Sequence, residues 1–254
     1  MEPSDLPEKA KKALRMQTLL GWAAFPIVGP GAVLYARVLR CNRVEGMGEA
    51  RRVYREALSR GRPTIVCANH LTMIDSIFLH HALASLADYL RDFRRFSWNV
   101  PAVENFTRHQ LLRLFVYLGK TIPIDRAGDP AHHKDVLDKL KYVVAHGDVC
   151  TLFPEGGRSR SGRVEPAKVT YGVGQVLREL ERPLVVCAYL RGDRQETWGE
   201  FPERGDTLRI SVELLEPTTS MTGMRATRDL SRQVIEKLKS MEDAHFARRA
   251  ERRS

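Results

Sequence analysis

What this chain lacks narrows it first. It has four cysteines in 254 residues, and none sits in a CxxC pair or at a Cys/His spacing that would ligate a metal. Cys67, Cys150 and Cys187 fall inside apolar runs that read as strands, and Cys41 lies near an N-terminal apolar segment. This usage excludes a disulfide framework and a structural zinc site, and it fits buried, reduced thiols. Acidic residues are in deficit: 31 Asp and Glu against 41 Lys and Arg leave a formal net charge of +10. Such an excess suits an anionic partner, whether a membrane surface, a phosphorylated molecule or nucleic acid. No nucleic-acid-binding motif accompanies the charge, so nucleic acid is not the expected partner. Gly-x4-Gly-Lys-Ser/Thr is absent, which excludes a P-loop phosphotransferase. Gly-x-Ser-x-Gly is absent as well; Gly157-Arg158-Ser159-Arg160-Ser161 fails at its last position, so no nucleophile elbow is expected. There is no internal repeat and no low-complexity linker.

At 43% hydrophobic and 28% charged, the chain is globular. From Met16 to Ala36 no residue is charged. As a straight helix this stretch would reach about 30 Å, barely a membrane span. Pro26, Gly29, Pro30 and Gly31 interrupt it and predict a helix-break-helix. Both flanks are basic, with Lys9 to Arg15 before it and Arg37, Arg40 and Arg43 after it. The positive-inside tendency then puts both ends on the cytoplasmic side, as in a monotopic hairpin dipping into one leaflet. A single span and a core helix pair are the competing readings. We therefore divide the chain into an N-terminal membrane-associating helical segment, 1–45, and a domain, 46–254. A signal peptide is not expected, given the acidic residues at the start.

Strands alternate with helices through residues 63–190, which predicts an α/β fold with a mixed, largely parallel sheet flanked by helices. Strands are expected near 64–68, 95–100, 119–126, 148–153, 184–190 and 208–214. Asp129-Pro130 marks a helix start. The basic end, from Arg248 on, reads as a solvated tail or an anionic-surface contact.

The central stretch is Thr64-Ile65-Val66-Cys67-Ala68-Asn69-His70-Leu71-Thr72-Met73-Ile74-Asp75. A buried strand hands over to a helix at Asn69-His70, where open α/β folds place their ligand crevice. A neutral imidazole backed by a carboxylate is a general base suited to a hydroxyl near neutral pH. Five residues on one helix would set His70 and Asp75 about 140° apart, so they meet only if His70 precedes the helix. Thr72 is a candidate N-cap, and Thr72-x-x-Asp75 also matches a capping box, in which Asp75 would do no more than start the helix. Further on, Pro154-Glu155-Gly156-Gly157-Arg158-Ser159-Arg160-Ser161-Gly162-Arg163 suits a phosphate, held by backbone N–H groups and guanidiniums. A solvated basic loop is the alternative.

Taken together, Asn69-His70-x4-Asp75 and Phe153-Pro154-Glu155-Gly156-Gly157-Arg158-Ser159 resemble the glycerolipid acyltransferase family, whose best-known members are 1-acylglycerol-3-phosphate acyltransferases. Gly119-Lys120-Thr121-Ile122-Pro123-Ile124-Asp125-Arg126 and Pro183-Leu184-Val185-Val186-Cys187-Ala188 resemble its second and fourth boxes, so the likeness covers about residues 60–190. The resemblance implies acyl transfer from acyl-CoA or acyl carrier protein to a hydroxyl of a lysophospholipid acceptor at a membrane. His70 and Asp75 would be catalytic. Asn69, Arg126, Glu155, Gly156, Gly157, Arg158 and Ser159 would bind the acceptor, with Arg126 and Arg158 on its phosphate. No metal and no bound cofactor are implied. Gly157 stands where the family usually has threonine, and Lys120 charges a position that is often apolar or aromatic. Both departures bear on the acceptor, which is 1-acylglycerol-3-phosphate or another lysolipid such as a lyso-ornithine lipid. A non-enzymatic, basic membrane-binding protein is the rival class. The remaining histidines, His80, His81, His109, His132, His133, His146 and His245, are expected to be exposed or helix-terminal.

Overall fold

The computed structural model describes residues 6–106 and 110–252. In chain order it contains α1 (Glu8–Leu34), β1 (Arg43–Glu45), α2 (Met47–Ser59), β2 (Thr64–Ala68), α3 (Asp75–Leu83), α4 (Leu86–Arg91), β3 (Trp98–Asn99), α5 (Gln110–Leu118), α6 (Pro130–Ala145), β4 (Cys150–Leu152), α7 (Gly172–Arg178), β5 (Leu184–Gly192), β6 (Thr207–Leu215) and α8 (Gly223–Glu251). Among the described residues the strands form one sheet in the order β1-β6-β5-β2-β4-β3. Every pairing is parallel except that of β5 with β6. This is the mixed, largely parallel α/β architecture that the alternation predicts.

β2 and β5 are buried along their whole length. Successive side chains of a strand point to opposite faces. Ile65, Cys67, Val185 and Cys187 join a core with α6, α7 and α8, while Val66, Ala68, Val186 and Ala188 join a second core with α2 and α3. Helices over both faces leave these strands no solvent side, hence their unbroken apolar runs. Cys67, Cys150 and Cys187 are buried free thiols, and Cys41 is exposed.

Several sequence expectations need correction. α1 runs unbroken through Pro26 and Pro30 and continues as a π-helical turn, Tyr35–Leu39. Packing holds the helix on both sides of the prolines. Phe25 sits edge-on among Tyr89, Phe93 and Phe96, with ring centroids 5.2–5.8 Å away, and Ala36 is buried in the same core. The segment expected to be helical to residue 45 also supplies a strand, since β1 pairs with β6. Residues 119–126 make isolated bridges, Thr121 to Asn99 and Ile124 to Ala102, rather than a strand. Lys120 has a φ of 52°, which interrupts the pleat. Its side chain is wholly buried, with Nζ 2.5 Å from Asp148 Oδ1 and 3.1 Å from the Phe93 carbonyl. Burial lowers its pKa, and Asp148 works against that shift. The extra charge is therefore consumed in the core, just ahead of the N-terminal end of β4. The basic C-terminus is not a tail: Arg248 and Arg249 lie in the last turn of α8, and Arg249 is buried, 2.8 Å from Glu196. Arg253 lies outside the described residues.

Candidate active site

β2 ends at Ala68, and Asn69 extends the ladder with its side chain. Its Nδ2 donates to the Leu190 carbonyl (3.0 Å), and its Oδ1 accepts the Leu190 N–H (2.8 Å). The amide expected to bind an acceptor is thus engaged in fixing β2 to β5. From that anchored point the chain turns through His70–Ile74 before α3 begins at Asp75. Ile74, not Thr72, is the N-cap residue. His70 lies outside the helix, so its Nδ1 and Asp75 Oδ2 come to 3.0 Å.

Asp75 is buried and organised by its neighbours. Oδ2 also accepts the N–H groups of Leu71 (2.7 Å) and Thr72 (2.8 Å), and Oδ1 accepts the Thr72 hydroxyl (2.5 Å). The capping and catalytic readings of Asp75 coincide, because one carboxylate gathers the turn and holds the imidazole. The carboxylate is an acceptor to every group it meets, so Nδ1 is the protonated ring nitrogen and Nε2 carries the lone pair. Nε2 has no hydrogen bond among the described residues, and the His70 side chain is 18% exposed.

The loop after β4 closes on His70. The Phe153 ring stacks on the imidazole at 4.1 Å. Glu155 Oε2 accepts the His70 N–H (3.3 Å), and the Ser159 N–H donates to the His70 carbonyl (2.9 Å). The Ser159 hydroxyl donates within its own loop, to the Arg163 carbonyl at 2.5 Å. Glu155 and Ser159, expected on the acceptor, thus stand as braces of His70. Burial pushes the Glu155 carboxyl up to about 7, against the pull of the His70 N–H. Gly156 makes the tight turn between these braces, with φ 66° and a Cβ position 2.5 Å from Thr170 Cγ2. Only glycine fits both constraints there.

The Arg126 side chain reaches Gly157, the residue before Arg158. The Arg126 guanidinium lies 3.7 Å from where a Gly157 Cβ would be and 3.5 Å from Glu104. Arg158 donates to the Gly199 carbonyl (3.0 Å) and stacks over the Trp198 ring at 4.8 Å. Both side chains are at least partly exposed, and a guanidinium in that state can grip a phosphate bidentately.

The sequence reading missed the wall opposite. The connection from β5 to β6 reaches the site, where the Gly199 N–H donates to Leu71 O (2.9 Å) and the Met73 N–H to Glu200 O (3.0 Å). Arg191 holds that connection to the arginine loop. It is buried; its Nε donates to Gln195 O (3.0 Å), its Nη2 to Glu196 O (2.8 Å) and its Nη1 to Gly162 O. The available signal was a charged residue ending an otherwise apolar buried run, which must find partners. His80 is helix-terminal as expected, in the last turn of α3, but it is buried, 2.8 Å from the Ser97 hydroxyl, and burial lowers its pKa to about 4; one other histidine departs from expectation. His245 is buried among arginines, also lowered to about 4 by burial first. His109 lies outside the described residues. Among the described residues no three His, Cys, Asp or Glu side chains converge on a metal position.

A family model described as Acyltransferase matches residues 50–190, a stretch containing His70, Asp75, Arg126 and the 153–163 loop. No curated protein matches the chain.

Proposed function

The chain belongs to the acyltransferase family, and on that premise we propose that it moves a fatty acyl group from acyl-CoA or acyl carrier protein to the free hydroxyl of a lysophospholipid, 1-acylglycerol-3-phosphate, in phospholipid biosynthesis at the cytoplasmic face of a membrane. The observation that carries this reading is the His70–Asp75 pair, 3.0 Å apart, braced by the same loop whose Gly157 the Arg126 guanidinium reaches. His70 Nε2 takes the proton of the acceptor hydroxyl. The oxygen attacks the thioester carbonyl, and a tetrahedral intermediate forms. Its collapse expels the thiolate, which takes the proton back from the imidazolium. Asp75 holds the imidazole in the correct tautomer and stabilises its charged form. Arg126 and Arg158 grip the acceptor phosphate and so fix the hydroxyl over Nε2.

Gly157 favours a second acceptor class. A side chain there would meet nothing closer than 3.7 Å, so glycine is not imposed by crowding, and the missing hydroxyl leaves room. A lysolipid that does not need that hydroxyl, such as a lyso-ornithine lipid, is therefore the second acceptor to be tested. A purely membrane-binding protein, by contrast, has no use for an aspartate organised by four donors around one imidazole.

The test is acyl transfer by purified protein in mixed micelles, with acyl-CoA and acyl carrier protein as donors. Lysophosphatidate, lysophosphatidylcholine and a lyso-ornithine lipid are offered in parallel, with His70→Ala as control. One acceptor is expected to yield product that the variant does not form, a loss of at least about a hundredfold, the scale of general-base removal. Turnover by His70→Ala equal to the unmodified chain would overturn the mechanism.

A further inference from the structure

α5 is a helix poorly suited to water. Its sequence, Gln110-Leu111-Leu112-Arg113-Leu114-Phe115-Val116-Tyr117-Leu118, has one narrow polar edge, Gln110, Arg113 and Tyr117 at i, i+3 and i+7, and a broad apolar side, yet none of its residues is buried. Leu111 is 73% exposed, Phe115 54% and Leu114 51%. A soluble surface helix turns one apolar stripe to the core and a polar face to solvent. In α5 the apolar side is left open to solvent along with the polar edge. Its length, about 14 Å, is far too short to span a bilayer.

The way α5 meets α1 points to lipid. At Gly21 a Cβ would lie 2.6 Å from the Leu118 carbonyl oxygen, so the two helices touch backbone to backbone. One turn earlier, the buried Gln17 amide donates to the carbonyls of Tyr117 and Thr121, each at 2.9 Å. A small residue at the crossing and an interhelical amide are the devices that join helices where lipid removes the hydrophobic drive. α1 carries the apolar surface onward, with Met16, Leu19, Leu20, Trp22 and Ile27 all exposed. Contiguous apolar surface on this scale marks an interaction site. The charges on these helices are mostly basic: Arg113 in α5, Lys12 and Arg15 in α1, and Arg37 just after it, with no Asp or Glu in α5 or between Met16 and Leu39. That complements anionic headgroups.

We propose that α5 enters the bilayer beside α1, so that the chain holds an anionic membrane at two elements. This rests on the membrane half of the proposed function and not on its chemistry. The excursion carrying α5 leaves the sheet edge at Ala102 and returns at Ile124, which bridges Ala102, two residues before Arg126. A bilayer seated on α5 therefore reaches the acceptor side of the site, and a lysolipid passes from the leaflet to Arg126 without crossing open water.

The experiment uses the full chain with Cys41→Ser, which leaves only buried thiols, and adds Leu19→Cys or Phe115→Cys. Each is labelled with an environment-sensitive fluorophore and mixed with phosphatidylcholine vesicles containing phosphatidylglycerol, with and without brominated acyl chains. Both labels are expected to shift blue on vesicles and to be quenched by bromine. Quenching at position 19 alone would overturn the proposal and leave the membrane reading intact. Quenching at neither position, with no flotation on vesicles, would overturn both. A blue shift at position 115 that grows with protein concentration and needs no lipid would assign the face to a second copy of the chain and overturn the proposal. As a second measurement, Leu111→Asp with Phe115→Asp should weaken vesicle binding about tenfold or more. Its transfer to a monomeric short-chain acceptor in solution should stay unchanged, and an equal vesicle affinity would count against the proposal.

Discussion

His70 is held from four directions by groups of different kinds: a carboxylate on Nδ1, an aromatic face under the ring, a carboxyl on its N–H and an N–H on its carbonyl. Of these, the residue types at 70 and 75 and their spacing were legible in the sequence. The braces were not, because Glu155 and Ser159 act on the backbone of His70, and backbone contacts leave no mark on residue identity. Arg191 is held largely the same way, by three carbonyls, so only its charge at the end of an apolar run could have pointed to it. Glu155 gives a testable consequence. Its carboxyl titrates near 7 in the folded chain against an ordinary 4.5, so the native state holds the proton more tightly than the unfolded state does. Its contribution to stability therefore falls as pH rises from about 4.5 through about 7, then levels. Glu155→Gln keeps an acceptor for the His70 N–H and cannot ionise. Urea midpoints across that range should decline less steeply in the variant, and parallel curves would show that Glu155 titrates normally.

Among the elements, α1 is where proline rules and packing conflict. Each proline removes a helical hydrogen bond and crowds the preceding turn, yet Phe25 and Ala36 are fixed in the core on either side. If the helix is continuous, Pro30→Ala relieves a local cost and should stabilise the chain by about 1–3 kcal/mol, read as a higher thermal midpoint in detergent. A fall in midpoint would restore the broken helix. The same competition explains which elements could be read in advance. β2 and β5 were plain because burial on both faces leaves only apolar side chains. β3, at two residues, falls inside the strand expected near 95–100, while β1, at three residues, is too short to show any periodicity. The 119–126 run had the composition of a strand, but the left-handed backbone at Lys120 is decided by its side chain's reach to Asp148, a partner outside any local window. α5 displayed an apolar pattern, though nothing in that pattern announced that the core would leave it uncovered.

At the scale of the molecule, stability and chemistry are separated along the sheet. The Lys120–Asp148 pair lies at the N-terminal end of β4, whereas His70 and the 153–163 loop follow the C-terminal ends of β2 and β4. Lys120→Met would leave Asp148 and the Phe93 carbonyl without their cation, a loss of about 3 kcal/mol measurable by urea unfolding. The kcat of the folded fraction should stay within about twofold, since no site residue contacts the pair; a collapse of kcat at full folding would refute the separation. The anchor of the His70 turn has an effect in time as well. Asn69 bonds to Leu190, a partner 121 residues further along the chain, and closing so long a loop is among the slower steps of folding. During synthesis, α1 and α5 leave the ribosome well before Leu190 exists. On the proposed membrane reading, the apolar surfaces are therefore available to a bilayer while the imidazole is still unanchored, so docking would precede activity.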